Sequence, residues 1–168
     1  MSGNVSQCIV ERDEITDAAK DWIAIDGLWF QVVEQVYGMD AAVALDCRVW
    51  EKFARLEAGR IKKRLGLPEN GGLDALEAAL RARLVHNVNT FTIERHDKST
   101  LIFIITGCRV HSARKRKQME PFECRPVGLV EFITFARTID SRIHTECISC
   151  PPETVPGSPY CSWKFTLG

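Results

Sequence analysis

An excess of charge of either sign is missing from this sequence: 22 lysines and arginines balance 22 aspartates and glutamates over 168 residues. With no net charge there is no global pull toward nucleic acid or anionic lipid. Long apolar runs are missing too, and none approaches the roughly 20 residues that a membrane span needs. The opening MSGNVSQCIVERDEITDAAK has no basic start followed by an apolar stretch, so no secretion signal is expected and the chain is assigned to the cytoplasm. There is no Gly-rich phosphate loop, no Ser-centred nucleophile elbow, no internal repeat and no low-complexity tract. These absences remove the motif-marked routes to nucleotide binding and serine hydrolysis.

What is abundant is cysteine, with seven residues. Cytosolic thiols stay reduced, so a disulfide framework is not expected. Cys8 and Cys47 stand alone, whereas Cys108, Cys124, Cys147, Cys150 and Cys161 crowd the C-terminal part. The length suits a single domain, residues 1–168, able to bury a core without staples.

Hydrophobic periodicity divides that domain into a helical part, 1–87, and a sheet part, 88–168. From Ala18 to Tyr37, Trp22, Ile25, Leu28, Trp29, Val32, Val33 and Val36 recur at three- and four-residue steps. Gly38 stops that helix and Asp40 starts the next, which runs to about Leu65 with Leu45, Val49, Phe53 and Leu56 on one face. PENGG (68–72) is a break, and a third helix carries Leu73, Leu76, Leu80 and Leu84. The period then changes. NTFTIER alternates and TLIFIITGC is apolar on both faces, so the two predict a hairpin with a central strand. RVHSARKRKQ reads as helix, 121–126 as a loop containing Cys124, and GLVEFITFARTID as a buried helix. SRIHTEC and YCSWKFTL predict two further strands, the last with Cys161, Trp163, Phe165 and Leu167 on one face. The expected fold is α+β: N-terminal helices packed on a small, mostly antiparallel sheet of about four strands.

Cys147 and Cys150 form a Cys-x-x-Cys turn, which presents two sulfurs to one ion. Cys161 opens the following strand and returns to the pair if the two strands pair. The connecting PPETVPGSP, rich in proline, stiffens the closure. A fourth ligand would be Cys124 or Cys108, with His111 as an outside candidate. The competing readings are buried cysteine acting as a small hydrophobe and a redox dithiol. The redox pair would favour a helix N-terminus over this strand end. Thiolates suit zinc or an iron–sulfur cluster. The spacing departs from ferredoxin motifs, so zinc is favoured, and a closed four-ligand site would be structural.

Trp22, Trp29 and Trp50 are candidates to line an apolar ligand pocket, against the alternative of plain core packing. Asp26 and Asp46 sit among apolar neighbours, a setting that raises a carboxyl pKa. Arg109, His111, Arg114, Lys115, Arg116 and Lys117 form a basic segment. It is able to hold an anionic group of a ligand, and it lacks the interleaved aromatics of a nucleic-acid surface.

The ending resembles the vinyl-4-reductase (4-vinyl reductase) domain superfamily, which includes small-molecule-binding proteins and the sensory domains of phenol-responsive activators. There the close is an acidic residue, two residues, a cysteine, a Gly-containing loop, then Tyr-Cys and an aromatic strand. Cys147 stands at the acidic position, Cys150 at the first cysteine, and Tyr160-Cys161-Ser162-Trp163 at the second. The resemblance implies that an upstream cysteine completes a zinc site, and Cys124, 23 residues before Cys147, stands at that position. DGLWFQVVEQVYG, ALDCRVWEKFA, CRVHSARKR, ECRPVGLVEFITFARTIDSRI and CISCPP together resemble an uncharacterised cytosolic family grouped near L-2-amino-thiazoline-4-carboxylate hydrolases. The resemblances imply a small-molecule-binding or sensory domain with a structural zinc site, with homodimerisation as an option. The alternative is an enzyme, either a hydrolase of a small cyclic carboxylic acid or an iron–sulfur-dependent reductase.

Overall fold

The computed structural model describes residues 3–152 and 159–168, with side chains from residue 12 onward. Cys8 and the centre of the proline-rich connection lie outside the described side chains. Five α-helices and one four-stranded sheet follow the expected α+β plan. They are α1 (Gly3–Tyr37), α2 (Met39–Leu65), α3 (Gly72–Arg81), β1 (Thr90–Arg95), β2 (Thr100–Gly107), α4 (Arg109–Arg116), α5 (Cys124–Ile139), β3 (Ile143–Ser149) and β4 (Cys161–Leu167). A 3-10 turn, Leu84–Asn87, joins α3 to β1. Among the described residues no helix is long and apolar enough to cross a membrane.

The sheet is antiparallel throughout, in the order β1-β2-β4-β3. β2 and β4 are central, which accounts for the two-faced apolarity of TLIFIITG. Leu101 sits opposite Phe165 and Phe103 opposite Trp163, and all four are fully buried on the face toward the helices. Helix α5 lies on that face through Phe132, Phe135, Ala136 and Ile139. Ala54, Ala58 and Ile61 of α2 cover α5 from behind. Leu73, Leu76 and Leu80 of α3 close the core at one end.

Chain breaks are set by local chemistry. Gly66 ends α2 in the left-handed region, φ 62°, and its N–H and that of Leu67 close on the carbonyls of Lys63 and Lys62. Glycine pays no Cβ penalty there. Lys62, Lys63 and Arg64 sit in the last turn, where cations oppose the helix dipole. At the far end of α5, buried Asp140 accepts from the backbone N–H of Gly72 (2.9 Å) and from the Arg142 guanidinium (2.7 Å). One carboxylate thereby fastens the start of α3, the end of α5 and the approach to β3. The Arg142 hydrogen bond, with help from the Gly72 N–H, holds its pKa well below the usual carboxylate range.

Two expectations need correction. The loop at 121–126 is shorter than its proline content suggested. α5 begins at Cys124 with Pro126 inside the first turn, where the missing N–H has no intrahelical partner to lose. The apolar stripe of α1 also fails to face the core: Ile25, Leu28, Trp29, Val32 and Val36 are each more than half exposed.

Gly128 of α5 is where helix and sheet approach most closely. A Cβ there would lie 2.5 Å from Trp163 Cζ2 and 2.8 Å from its Cη2. Trp163 is fully buried and rigidly packed, so the clash is not relieved by a flexible chain end. Gly128→Ala is therefore expected to destabilise the fold by about 1–3 kcal/mol. Thermal or urea unfolding checks this; a melting temperature equal to wild type would show that the α5–sheet contact is looser than described.

Candidate functional site

Between the α1–α2 hairpin and the α5–sheet layer lies a cavity of about 370 Å³. Its walls come from α1, α2, the 3-10 turn, the end of β2, α4, α5 and the start of β4. Much of the lining is apolar, including Ile23, Phe30, Trp50, Phe122, Val127 and Phe132. Phe30 and Phe122 meet at 4.9 Å between ring centroids, and Trp50 packs edge-on to Trp22 at 6.1 Å.

Ionisable groups interrupt these walls. Arg83, in the link between α3 and the 3-10 turn, is 1% exposed. Its Nε lies 2.9 Å from Glu57 of α2 and its Nη2 2.6 Å from Glu131 of α5. The Phe135 ring lies 4.7 Å from its guanidinium carbon. Three charges buried together leave one carboxylate in excess. Burial pushes the Glu131 carboxyl up, against the pull of Arg83. On the hairpin side, burial raises Asp26. Asp46 is pushed up to about 7 by burial and by the charges of Asp26 and Glu131, against a hydrogen bond from Trp50. All three carboxyls line the same cavity.

Two histidines face it as neutral rings. His86 contacts the Leu80 carbonyl through Nδ1, so Nδ1 carries the proton there. Burial and the nearby Arg83 lower its pKa to about 3. His111 stacks on Phe122 at 5.4 Å, and its buried Nε2 has no hydrogen-bond partner. Burial, with Arg114, lowers its pKa.

The thiols form one group at the base of the cavity. Cys150, just after β3, contacts Cys124 and Cys161, and Cys147 of β3 reaches Cys150. Strand pairing brings them together, with Cys147 opposite Trp163 and Ser149 opposite Ser162. The Cys124 N–H donates to the Pro151 carbonyl at 3.2 Å, which fixes the start of α5 against the end of β3. Trp163 Nε1 donates to Cys161 Sγ at 3.4 Å.

All the thiols of the group have raised pKa values, through burial and their mutual contacts in different proportions. The contact with Cys124 raises Cys150 strongly, and the contact with Cys150 followed by burial raises Cys161 strongly. At Cys124 the Cys150 contact favours the thiolate, but burial and the neighbouring thiols outweigh it and the pKa rises. Burial raises Cys147, opposed by Arg125. Cys108 caps the start of α4 and is raised by burial despite N–H groups from His111 and Val110. Cys108, Cys124 and Cys161 line the cavity. Among the described residues no group of three or more His, Cys, Asp or Glu side chains is arranged to hold a metal ion.

Of the pocket candidates, Trp50, Asp26, Arg109 and Arg114 line the cavity, as does His111. Trp22 stands one layer back, packed on Trp50 and Phe53. Trp29 is 67% exposed on the outer side of α1 and is not part of the lining. Arg114 is occupied: it forks onto both carboxylate oxygens of Glu34 at 2.7 and 2.8 Å, tying α4 to α1. Arg83, His86 and Glu131 escape a reading by motif. Glu131 is hidden inside an apolar helix stripe. A charged residue in such a stripe is the one signal that marks it.

The chain belongs to DUF6125, a family of unknown function. The match spans residues 7–167. No curated protein and no solved structure matches the chain. Membership in DUF6125 thus carries no chemistry with it, and the site must be read from its own residues. The likeness to vinyl-4-reductase domains and to thiazoline carboxylate hydrolases finds no support in these comparisons.

Asp46 gives this site a pH signature. Its carboxyl titrates near 7 when folded and near the ordinary aspartate value of 3.8 when unfolded. As pH rises from about 4 to 7, the unfolded chain releases the proton first, so stability falls across that window and levels off above it. Asp26 and Glu131, also raised, add to the same slope. Asp46→Asn is expected to match wild type near pH 4 and to exceed its stability by on the order of 4 kcal/mol at pH 8. Urea unfolding at the two pH values measures this; an identical pH slope in both proteins would show that Asp46 ionises freely.

Proposed function

We propose that this domain binds a small, partly apolar molecule in the cavity between the α1–α2 hairpin and the sheet. The observation that carries the reading is the cavity itself. Its volume lies in the range of small-molecule sites, and aromatic walls are broken by a few convergent polar groups. Asp26 and Asp46 on the hairpin wall, Glu131 on the α5 wall and Arg109 on α4 supply the polar contacts that would orient a ligand.

We further propose that Cys124, Cys147, Cys150 and Cys161 form a structural zinc site at the base of the cavity. The donor type suits the ion, although among the described residues the thiols do not already stand in a ligand arrangement. Four thiols drawn from α5, β4 and the end of β3 lie in one contact group, and burial with mutual repulsion raises the pKa of all four. A divalent cation relieves that repulsion and draws the protons off the thiols. The ion would supply cross-linking and no open coordination position. Cys108 and His111 stand next to the group as alternative ligands. The likeness to the vinyl-4-reductase close supports the same assignment, and the cytoplasm, where thiols stay reduced, is the compartment that suits it.

One observation favours an enzyme as the second reading. A carboxyl titrating near neutrality, Asp46, shares its cavity with the thiols of Cys108, Cys124 and Cys161. A hydrolase of a small cyclic acid, or a reductase with an iron–sulfur centre, would use such a wall.

Elemental analysis with a visible spectrum on anaerobically purified protein separates these readings. A colourless protein with about one zinc per chain is expected. Cys150→Ser should lose most of the metal and lower the melting temperature by about 5 °C or more. Iron with visible absorption would favour the reductase; metal-free protein with an unchanged melting temperature in Cys150→Ser would remove the zinc site. The pocket is tested separately with the fluorescent apolar probe 1-anilinonaphthalene-8-sulfonate. Saturable binding of one probe per chain is expected, weakened by Ala113→Trp in the half-buried cavity wall.

A further inference from the structure

Helix α1 carries an apolar row that is left largely uncovered among the described residues. Ile15, Ile25, Trp29, Val32 and Val36 are 50–67% exposed. Their positions fall on one alternating three- and four-residue spacing, completed by Ala18 and Trp22. That is the heptad seam of a helix that packs on another helix. Leu28 and Tyr37, 52% and 72% exposed, widen the row. The same spacing recurs on α2, where Leu45, Val49 and Leu56 are 45%, 54% and 56% exposed, with exposed Lys52 at the position between Val49 and Leu56. Gly59 continues that row in open space, where a neighbouring backbone can approach.

The α1 row alone presents on the order of 800 Å² of apolar surface, which is what one partner contributes to a standard protein interface. A stable monomer rarely exposes a contiguous patch of that size. The charges beside the rows choose the occupant. The outer half of α1 is acidic, with exposed Asp13, Glu14, Asp17 and Asp21. The outer half of α2 is basic, with exposed Arg55, Arg60, Lys63 and Arg64. Trp22 meets Trp50 and Phe53, so the helices run antiparallel about Gly38 and these two halves lie at the same end of the hairpin. Acidic flanks on α1 repel an anionic lipid surface. They suit a second hairpin whose basic α2 lies alongside.

We infer that a second copy of this chain covers these rows, so that the two α1–α2 hairpins form a four-helix bundle across a two-fold axis. Each α1 lies against α2 of the partner, acidic half beside basic half, and the interface is the same on both copies. It is a surface distinct from the cavity, and it stands whether or not the cavity binds a ligand.

Sedimentation velocity on the full chain tests this. The expected mass is twice the 19.0 kDa of one chain. Trp29→Glu and Val49→Glu should each weaken association by about a hundredfold or more while far-UV circular dichroism stays unchanged. If either variant fails to fold, wild-type fluorescence decides. Dilution through the dissociation range should shift emission to the red, and Trp29→Phe should abolish most of that shift while the protein still dimerises. A wild-type mass of one chain at every concentration overturns the inference. So does a dimer indifferent to both glutamates, or a dilution shift that survives Trp29→Phe. Monomer that floats with phosphatidylcholine vesicles would assign the rows to a lipid surface and overturn it as well.

Discussion

The Arg83 guanidinium is the contact on which the rest of the molecule depends. It is almost fully buried, and it binds Glu57 from α2 and Glu131 from α5 while the rings of Phe132 and Phe135 lie within 6 Å. A buried ion triad is a poor source of net stability, because desolvation consumes most of the Coulombic gain. Its value is specificity. An arrangement that separated α2, α5 and the link at Arg83 would leave a charge buried without a partner; in the one observed, Arg83 Nη2 meets Glu131 as an ion pair without hydrogen-bond geometry. That arrangement sets the seat of α5 on the sheet. It also sets the distance between the hairpin and the sheet, and therefore the size of the cavity.

The same triad shapes the electrostatics of the site. With two carboxylates for one guanidinium, the interior carries a negative excess, and the effect reaches Asp46 as a repulsion that helps hold its proton. It also reaches the thiols: the Glu131 charge is among the influences that raise Cys108, Cys124 and Cys161. Thiols that resist ionisation are poor nucleophiles on their own. This disfavours a redox dithiol, and any cation held by the group would have to displace the thiol protons.

Much of the fold was legible because it rests on local periodicity. The switch from helical stripes to alternation near Asn89 marks the sheet, and the two-faced run in β2 marks its centre. The approach of Cys147, Cys150 and Cys161 follows once β3 pairs with β4, whereas Cys124 stands on α5 and spacing alone left it open against Cys108. What stayed hidden is long-range. Arg83 and His86 lie in a stretch that continues the leucine spacing of α3, yet the helix stops at Arg81. Beyond it the chain turns so that Arg83 can reach two carboxylates 26 and 48 positions away in sequence. Periodicity also names a helix face without naming what covers it. The row on α1 reads like a core stripe, yet among the described residues most of it stays exposed.

That last point places α1 between two surfaces. One side of it, through Ile23, Asp26 and Phe30, walls the cavity; the other carries the uncovered heptad row. It is tied to the body by buried Ala19 and Ile23, by Trp22 on Trp50 and Phe53, by Phe30 on Phe122, and by Glu34 on Arg114 and Gln31 on Lys117. Under the pairing inferred for the hairpins, a second copy would fix α1 from outside, and a molecule in the cavity would fix it from inside. Each event then lowers the ordering cost of the other, and linkage makes the effect mutual. The coupling needs no wire through the core, because both surfaces belong to the same helix.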